Sequence, residues 1–285
     1  MYQLYARAIG TNNMPDCSNM CHESSGAGLS ATVGIGKGSV TLEDIHIAEL
    51  ILVIGQNPGT NHPRMLTALK NCKDNGGTVI SVNPLEEAGM GKFVDPQSPI
   101  EVLKGGTRIA DMHIPVRING DVALLKGIMR VLWEMEQKHP NTVFDHAFIA
   151  ANTIGFEELN ATLKTTDLAH CVKASGISER DIRKVAQLVA KKKKIIICWA
   201  MGLTQHTNGV GNIQELVNLL LLRGAIGKPG AGTCPVRGHS NVQGDRTMGI
   251  WEKPKEPFLA ALDQRFGIEA PRAHGHDTVE AIQAM

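Results

Sequence analysis

Two short apolar runs, Ile51-Leu52-Val53-Ile54 and Thr78-Val79-Ile80-Ser81-Val82, set the tightest limit on what this chain folds into. They are rich in β-branched residues, and each ends in Gly or Asn-Pro. Runs of this kind read as parallel strands buried on both faces, so other elements must cover each side. Two further strands are expected at 111–116 and at Ile195-Ile196-Ile197-Cys198-Trp199. Helical patterns fall at 63–73, 122–137, 179–193 and 213–222, and the third starts like a capping box, with Ser178 before it and Asp181 three positions on. Strands alternating with helices imply an α/β fold, a three-layer α/β/α domain around a mainly parallel sheet.

Open α/β sheets bind ligands beyond the carboxyl ends of their strands. The first strand is followed by Gly55-Gln56-Asn57-Pro58-Gly59-Thr60-Asn61-His62-Pro63, the second by Asn83-Pro84-Leu85-Glu86 and the fourth by Met201-Gly202-Leu203-Thr204-Gln205. Three such polar turns on one rim fit a nucleotide or extended cofactor whose phosphates meet backbone amides and helix N-termini. The plainer reading is strand-to-helix turns in which Gly, Asn and Pro serve backbone geometry alone. Gly34-Ile35-Gly36-Lys37-Gly38 lacks Rossmann spacing and follows no strand.

The chain of 285 residues is long enough for one large α/β domain, expected over 1–249, with 250–285 an extended segment leading toward a further domain. That boundary rests on the proline-punctuated stretch Trp251-Glu252-Lys253-Pro254-Lys255-Glu256-Pro257. A net charge of +1 provides no basic field for nucleic acid, and Lys191 to Lys194 read as a solvated helix end. No run approaches the roughly 18 to 20 apolar residues of a membrane span, so no membrane insertion is expected. Six scattered cysteines read as reduced thiols. With no signal segment or twin-arginine motif at the start, the expected location is cytoplasmic.

Two segments carry chemistry. Near the start, Cys21 precedes His22 and the small-residue run Ser24-Ser25-Gly26-Ala27-Gly28; near the end, Arg237 stands in Gly227-Lys228-Pro229-Gly230-Ala231-Gly232-Thr233-Cys234-Pro235-Val236-Arg237-Gly238. A thiolate is a soft metal ligand, an imidazole takes a proton near neutral pH, and a guanidinium presents paired donors to a carboxylate or phosphate. A Cys-His pair also serves as ordinary packing. Cys17 and Cys21 find no second cysteine pair, which rejects a self-contained zinc or iron–sulfur site.

Residues 13–28, the turn Gly55-Gln56-Asn57-Pro58 with His62-Pro63, and the segment from Gly227 through Gly238-His239-Ser240-Asn241-Val242-Gln243-Gly244 closely resemble molybdopterin-dependent oxidoreductases. The nearest resemblance is to formate dehydrogenase alpha-subunit-like proteins, including the YdeP-type branch. It implies Cys21 as a ligand to molybdenum or tungsten, His22 as the group that takes the proton, and Arg237 as the group that orients a formate carboxylate. It also implies that one arm of a bis-molybdopterin guanine dinucleotide meets Gly55, Gln56, Asn57, Thr60, His62, Asn83, Pro84, Met201, Gly202, Gln205 and Gly238.

The resemblance further implies an internal fragment of a catalytic subunit, inactive in isolation. Missing parts of the same polypeptide would then supply an upstream 4Fe-4S cluster and the grip on the second pterin arm, and an electron-transfer partner would complete turnover. The sequence departs from formate dehydrogenases at Glu23-Ser24-Ser25, where they carry a glycine-proline element, and by an extra charge pair at Asp245-Arg246. Cys21-His22 argues against the nitrate- and sulfoxide-reductase branches. The competing readings are a nicotinamide- or thiamine-type nucleotide domain and a non-catalytic pterin-binding or subunit-interaction domain.

Overall fold

A computed structural model describes residues 1–239 and 241–285; Ser240, inside the glycine-rich motif quoted above, lies outside the described residues. The chain divides into two compact units, a larger one of Ser24–Val236 and a smaller one of Met1–Glu23 with Arg237–Met285. The junctions thus fall at 23/24 and 236/237, and 250–285 shares a unit with 237–249.

In chain order the elements begin α1 (Tyr2–Ala8), α2 (Ser18–Cys21), α3 (Glu23–Val33), α4 (Leu42–Ile47), β1 (Leu50–Ile54), α5 (Pro58–Asn61), α6 (Pro63–Asp74) and β2 (Thr78–Val82). They continue with α7 (Ala88–Gly91), α8 (Pro99–Lys104), β3 (Met112–Ile114), α9 (Asp121–Lys138), α10 (His146–Asn152), α11 (Phe156–Thr165), α12 (Leu168–Ser175), α13 (Glu179–Lys191) and β4 (Ile195–Trp199). The last are α14 (Met201–Thr204), α15 (Gly209–Leu222), β5 (Gly232–Pro235), α16 (Val242–Thr247), α17 (Glu256–Phe266) and α18 (Thr278–Ala284).

The larger unit holds one five-stranded parallel sheet in the order β3-β2-β1-β4-β5. β1 is central, with Leu50 beside Thr78 and Ile195, and Ile54 beside Val82 and Trp199. Strand order reverses between β1 and β4, the place where an open α/β sheet forms a crevice at its carboxyl edge. Alternate side chains feed two cores. Leu52, Ile54, Ile80 and Ile197 pack with Ile128 of α9, Ile182 of α13 and Leu216 of α15, while Ile51, Val53, Val79 and Ile196 pack with Ile45 of α4 and Leu69 of α6. Helices therefore cover both faces, in three layers. Burying β1 and β4 completely, at 2% exposure or less throughout, requires this cover.

Several features differ from the sequence reading. β5 lies in what reads as a glycine-rich turn; its pairing with β4, Cys198 beside Cys234, makes it a strand despite the absence of an apolar run. β3 is shorter than the expected 111–116. Residues 251–257 are not extended throughout, because Glu256 opens α17 and Pro257 occupies its first turn, where a missing N–H costs nothing.

In the smaller unit, distant segments are tied by buried polar groups. Fully buried Arg7 donates to the carbonyls of Gly249 at 2.9 Å and Trp251 at 3.1 Å, and lies 5.5 Å over the Phe258 ring. Asn12 Nδ2 donates to the carbonyls of Pro271 at 2.7 Å and Ala273 at 2.8 Å. Among the described residues, no helix is long and apolar enough to cross a membrane.

Candidate functional site

The smaller unit builds its site on a single helical turn. Asp16 Oδ1 accepts from Ser18 N at 2.6 Å and from the Ser18 hydroxyl, which turns the chain into α2. His22 N donates back to Ser18 O at 3.1 Å, so Cys21 ends the turn and His22 caps it. Both are buried, Cys21 at 8% and His22 at 1% exposure. Gly238 faces the thiol: a Cβ there would stand 4.0 Å from Cys21 Sγ. Burial pulls the neighbouring Arg237 guanidinium below the ordinary arginine value, with Cys21 and Glu23 opposing the shift and Arg246 adding to it. Cys21, Arg237 and Gly238 thus share one neighbourhood, with His22 next along the chain.

Arg246 on α16 fastens this turn. Its Nε lies 3.2 Å from Asp16 Oδ2, its Nη2 3.0 Å from Glu23 Oε2 and within reach of Ser18 Oγ, and its Nη1 3.9 Å from Glu252 Oε2. The guanidinium also stacks 5.1 Å from the Trp251 ring centre. Burial raises the Glu252 carboxyl above the usual glutamate range, and Arg246 pulls it back. The extra charge near the motif therefore grips acids on both sides of Cys21-His22.

The larger unit builds the rim. The turns after β1 and β4 meet backbone to backbone: Gly202 N donates to Gly55 O at 3.0 Å, and a Cβ on Gly202 would fall 2.5 Å from Gly55 Cα. Gly55 also sits at φ +60, where a side chain strains the backbone. A cavity of about 230 Å³ is lined by Gly55, Asn83, Pro84, Met201, Gly202 and Gln205, so six of the expected rim residues do converge. Asn83 Nδ2 donates to Gln56 O at 2.7 Å, locking the first two turns together.

Gln56, Asn57, Thr60 and His62 do not line that cavity. Asn57 caps α5 by accepting from Thr60 N at 3.1 Å and donates to Glu87 Oε2 at 2.6 Å. Gln56 Nε2 reaches His62 Nδ1 at 3.4 Å and Met65 Sδ at 3.0 Å, while its Oε1 is buried without a hydrogen-bond partner.

Four lining residues escape the sequence reading: Arg117 and Ile118 after β3, Asp121 at the start of α9, and His206. His206 Nε2 stands 2.8 Å from Gly202 O and 3.9 Å from Asp121 Oδ2. Burial pushes the Asp121 carboxyl up to about 6, with His206 opposing the rise. The strand-end argument, extended to the third strand, finds Arg117 and Ile118; nothing local marks the Asp121–His206 pair. No group of three or more His, Cys, Asp or Glu is placed to hold a metal among the described residues.

The chain is 55% identical over 284 residues to an uncharacterized oxidoreductase of Mycobacterium tuberculosis, covering all of this chain and 36% of that protein. It is 49% identical over 290 residues to protein YdeP of Escherichia coli strain K12, covering all of this chain and 38% of YdeP. Formate dehydrogenase H of the same bacterium is 36% identical over 281 residues, with 95% of this chain and 36% of that enzyme covered. The chain therefore spans little more than a third of the length of these relatives. Among solved structures, acetylene hydratase of Pelobacter acetylenicus superposes with a TM-score of 0.64 at 22% identity, over 81% of this chain and 29% of that one, a likeness of fold. The Molybdopterin oxidoreductase family model matches residues 1–265, and this chain belongs to that family.

Proposed function

We propose that the chain serves a molybdopterin guanine dinucleotide-dependent oxidoreductase of the formate dehydrogenase-like type, which takes two electrons from a small carboxylate such as formate. The observation that carries this reading is the buried Cys21 thiol with Gly238 leaving space beside it and Arg237 in its field. The donor set fits the cofactor: one soft protein ligand suffices where dithiolene sulfurs supply the rest. In the larger unit, the cavity of about 230 Å³ beyond the carboxyl ends of the strands, lined by Gly55, Asn83, Met201, Gly202 and Gln205, suits a nucleotide arm.

When bound, the group supplies the metal centre that accepts the electron pair. Cys21 provides the ligand, Arg237 holds the substrate carboxylate through paired N–H donors, and His22 takes the proton at its imidazole. Arg246 keeps the Cys21-His22 turn in place through Asp16 and Glu23. Gly55, Asn83, Pro84, Met201, Gly202 and Gln205 receive the nucleotide end, with Gln56, Asn57, Thr60 and His62 shaping the adjoining turn. In this reading a 4Fe-4S cluster, the grip on the second pterin arm and the electron-transfer partner come from outside this chain, which spans little more than a third of the length of its relatives. A reducing cytoplasm suits its six thiols.

Elemental analysis and pterin fluorescence on the protein purified anaerobically from its own host test the reading, alongside formate-dependent dye reduction. Near-stoichiometric molybdenum or tungsten with guanine-nucleotide pterin is expected, and Cys21→Ala should abolish turnover while leaving the circular dichroism unchanged. Metal-free, pterin-free protein from a host competent to make the cofactor would replace this reading with the non-catalytic one.

A further inference from the structure

The opposite, amino edge of the sheet carries a second polar cavity. It encloses about 470 Å³ and is lined by Lys193, Arg223, Lys228, Asp145 and His146 with the backbone around 141–147. Chain direction brings these residues together: Lys193 stands two positions before β4, Lys228 four before β5, and Arg223 caps the end of α15. The cavity is remote in topology from the rim at the carboxyl edge and shares no lining residue with it.

Its cations are poorly compensated. Arg223 is 8% exposed; Nη2 donates to the carbonyls of Ala190 at 2.9 Å and Lys192 at 3.0 Å, which fixes the plane of the guanidinium, while Nε is buried with no hydrogen-bond partner. Among the described residues, no carboxylate forms an ion pair within 4.0 Å of Lys193, Arg223 or Lys228. Glu136 is committed to the loop, accepting from Asn141 N, Val143 N and Phe144 N at 2.6, 2.8 and 3.0 Å and meeting His146 Nε2 at 2.8 Å. Asp145 accepts from Phe148 N at 3.0 Å and is the one acid in the lining.

Buried Arg223, half-buried Lys228 and exposed Lys193 thus line the cavity with Asp145 as the lining acid, while Glu136 and Glu49 act on Arg223 and Lys228 from outside the lining. Holding Arg223 and Lys228 partly out of water with no carboxylate in ion-pair contact is costly, and folding alone gives little return for it. Anchoring the carbonyls of Ala190 and Lys192 explains Nη2 of Arg223 but neither its Nε nor the half-buried Lys228. A phosphate dianion matches the surplus charge, and a planar guanidinium is suited to phosphate oxygens. The volume lies within the range of about 300 to 1,000 Å³ typical of small-molecule pockets.

We propose that this cavity binds a phosphate-bearing small molecule, its phosphate held between Arg223, Lys228 and Lys193. Burial holds both Arg223 and Lys228 below their ordinary values, and an incoming anion reverses that cost.

Calorimetric titration of the chain with inorganic phosphate and, separately, glycerol 3-phosphate tests the site, with phosphorus NMR of the ligands as a second readout. Saturable binding is expected, weakened about tenfold by Lys228→Ala through loss of one charge-assisted contact. Arg223→Lys, which keeps the charge but loses the fork, should weaken it as well, and Arg117→Ala at the rim should leave it unchanged. Preference for glycerol 3-phosphate over free phosphate assigns a phosphate monoester, and equal affinity assigns the free anion; both support the site. Absence of saturable binding overturns the proposal. So does binding lost in Arg117→Ala but kept in Lys228→Ala, which places the anion at the rim, or capture of a polyglutamate peptide that phosphate fails to displace, which makes the surface a protein-docking one.

Discussion

Asp121 carries the clearest proton-linked consequence at the scale of single residues. Its carboxyl rises from 3.8 to about 6 because burial disfavours the charged form more than His206 favours it. A folded state that holds its proton more tightly than the unfolded chain is stabilised at low pH. That stability is complete below 3.8, declines as pH rises, and is gone above about 6, a difference of about 3 kcal/mol. Asp121→Asn should therefore raise urea-unfolding stability at pH 8 by up to about 3 kcal/mol and leave it unchanged at pH 3. Equal stability of both proteins at pH 8 would contradict the assignment. Cys21, His22 and Arg237 stand out in the sequence because few residue types bind metal, carry protons or fork onto a carboxylate. Asp121 does not, because an aspartate opening a helix is ordinary until its surroundings are known.

Elements were legible where local chemistry specifies them. Ser178 accepts from Asp181 N at 3.1 Å and caps α13, whose Ile182, Val185 and Val189 are buried. Replacing Ser178 by Ala should lower stability by about 1 kcal/mol, read as a shift in denaturation midpoint at constant slope. An unshifted midpoint would mean the cap contributes nothing in this context. β5 was illegible for the opposite reason: Gly232-Thr233-Cys234-Pro235 has no strand pattern of its own, and pairing with β4 supplies its order. The helices α10, α11 and α12 also lack a strong local signal. They are 7, 10 and 8 residues long, short enough that packing against neighbours outweighs intrinsic propensity.

At the scale of the whole molecule, the larger unit is continuous in sequence and contains the full sheet with both cores. Residues 24–236 expressed alone should fold and unfold in one cooperative urea transition, followed by circular dichroism and tryptophan fluorescence; non-coincident transitions would show that the unit depends on the rest of the chain. The sequence by itself determined the class of fold, since apolar runs such as Ile51 to Ile54 must be buried on both faces and the helices between them are the available cover. It also presented the candidate reactive groups Cys21, His22 and Arg237, because the chemistry proposed for them resides in side-chain type. Only the tertiary structure decided which groups meet. The order β3-β2-β1-β4-β5 places the turns after β1 and β4 against each other and brings His206 to Asp121, while folding of the smaller unit returns Arg246 to Asp16 and Glu23. Side chains separated by 80 to more than 220 positions are joined by packing, and packing has no local signature in a sequence.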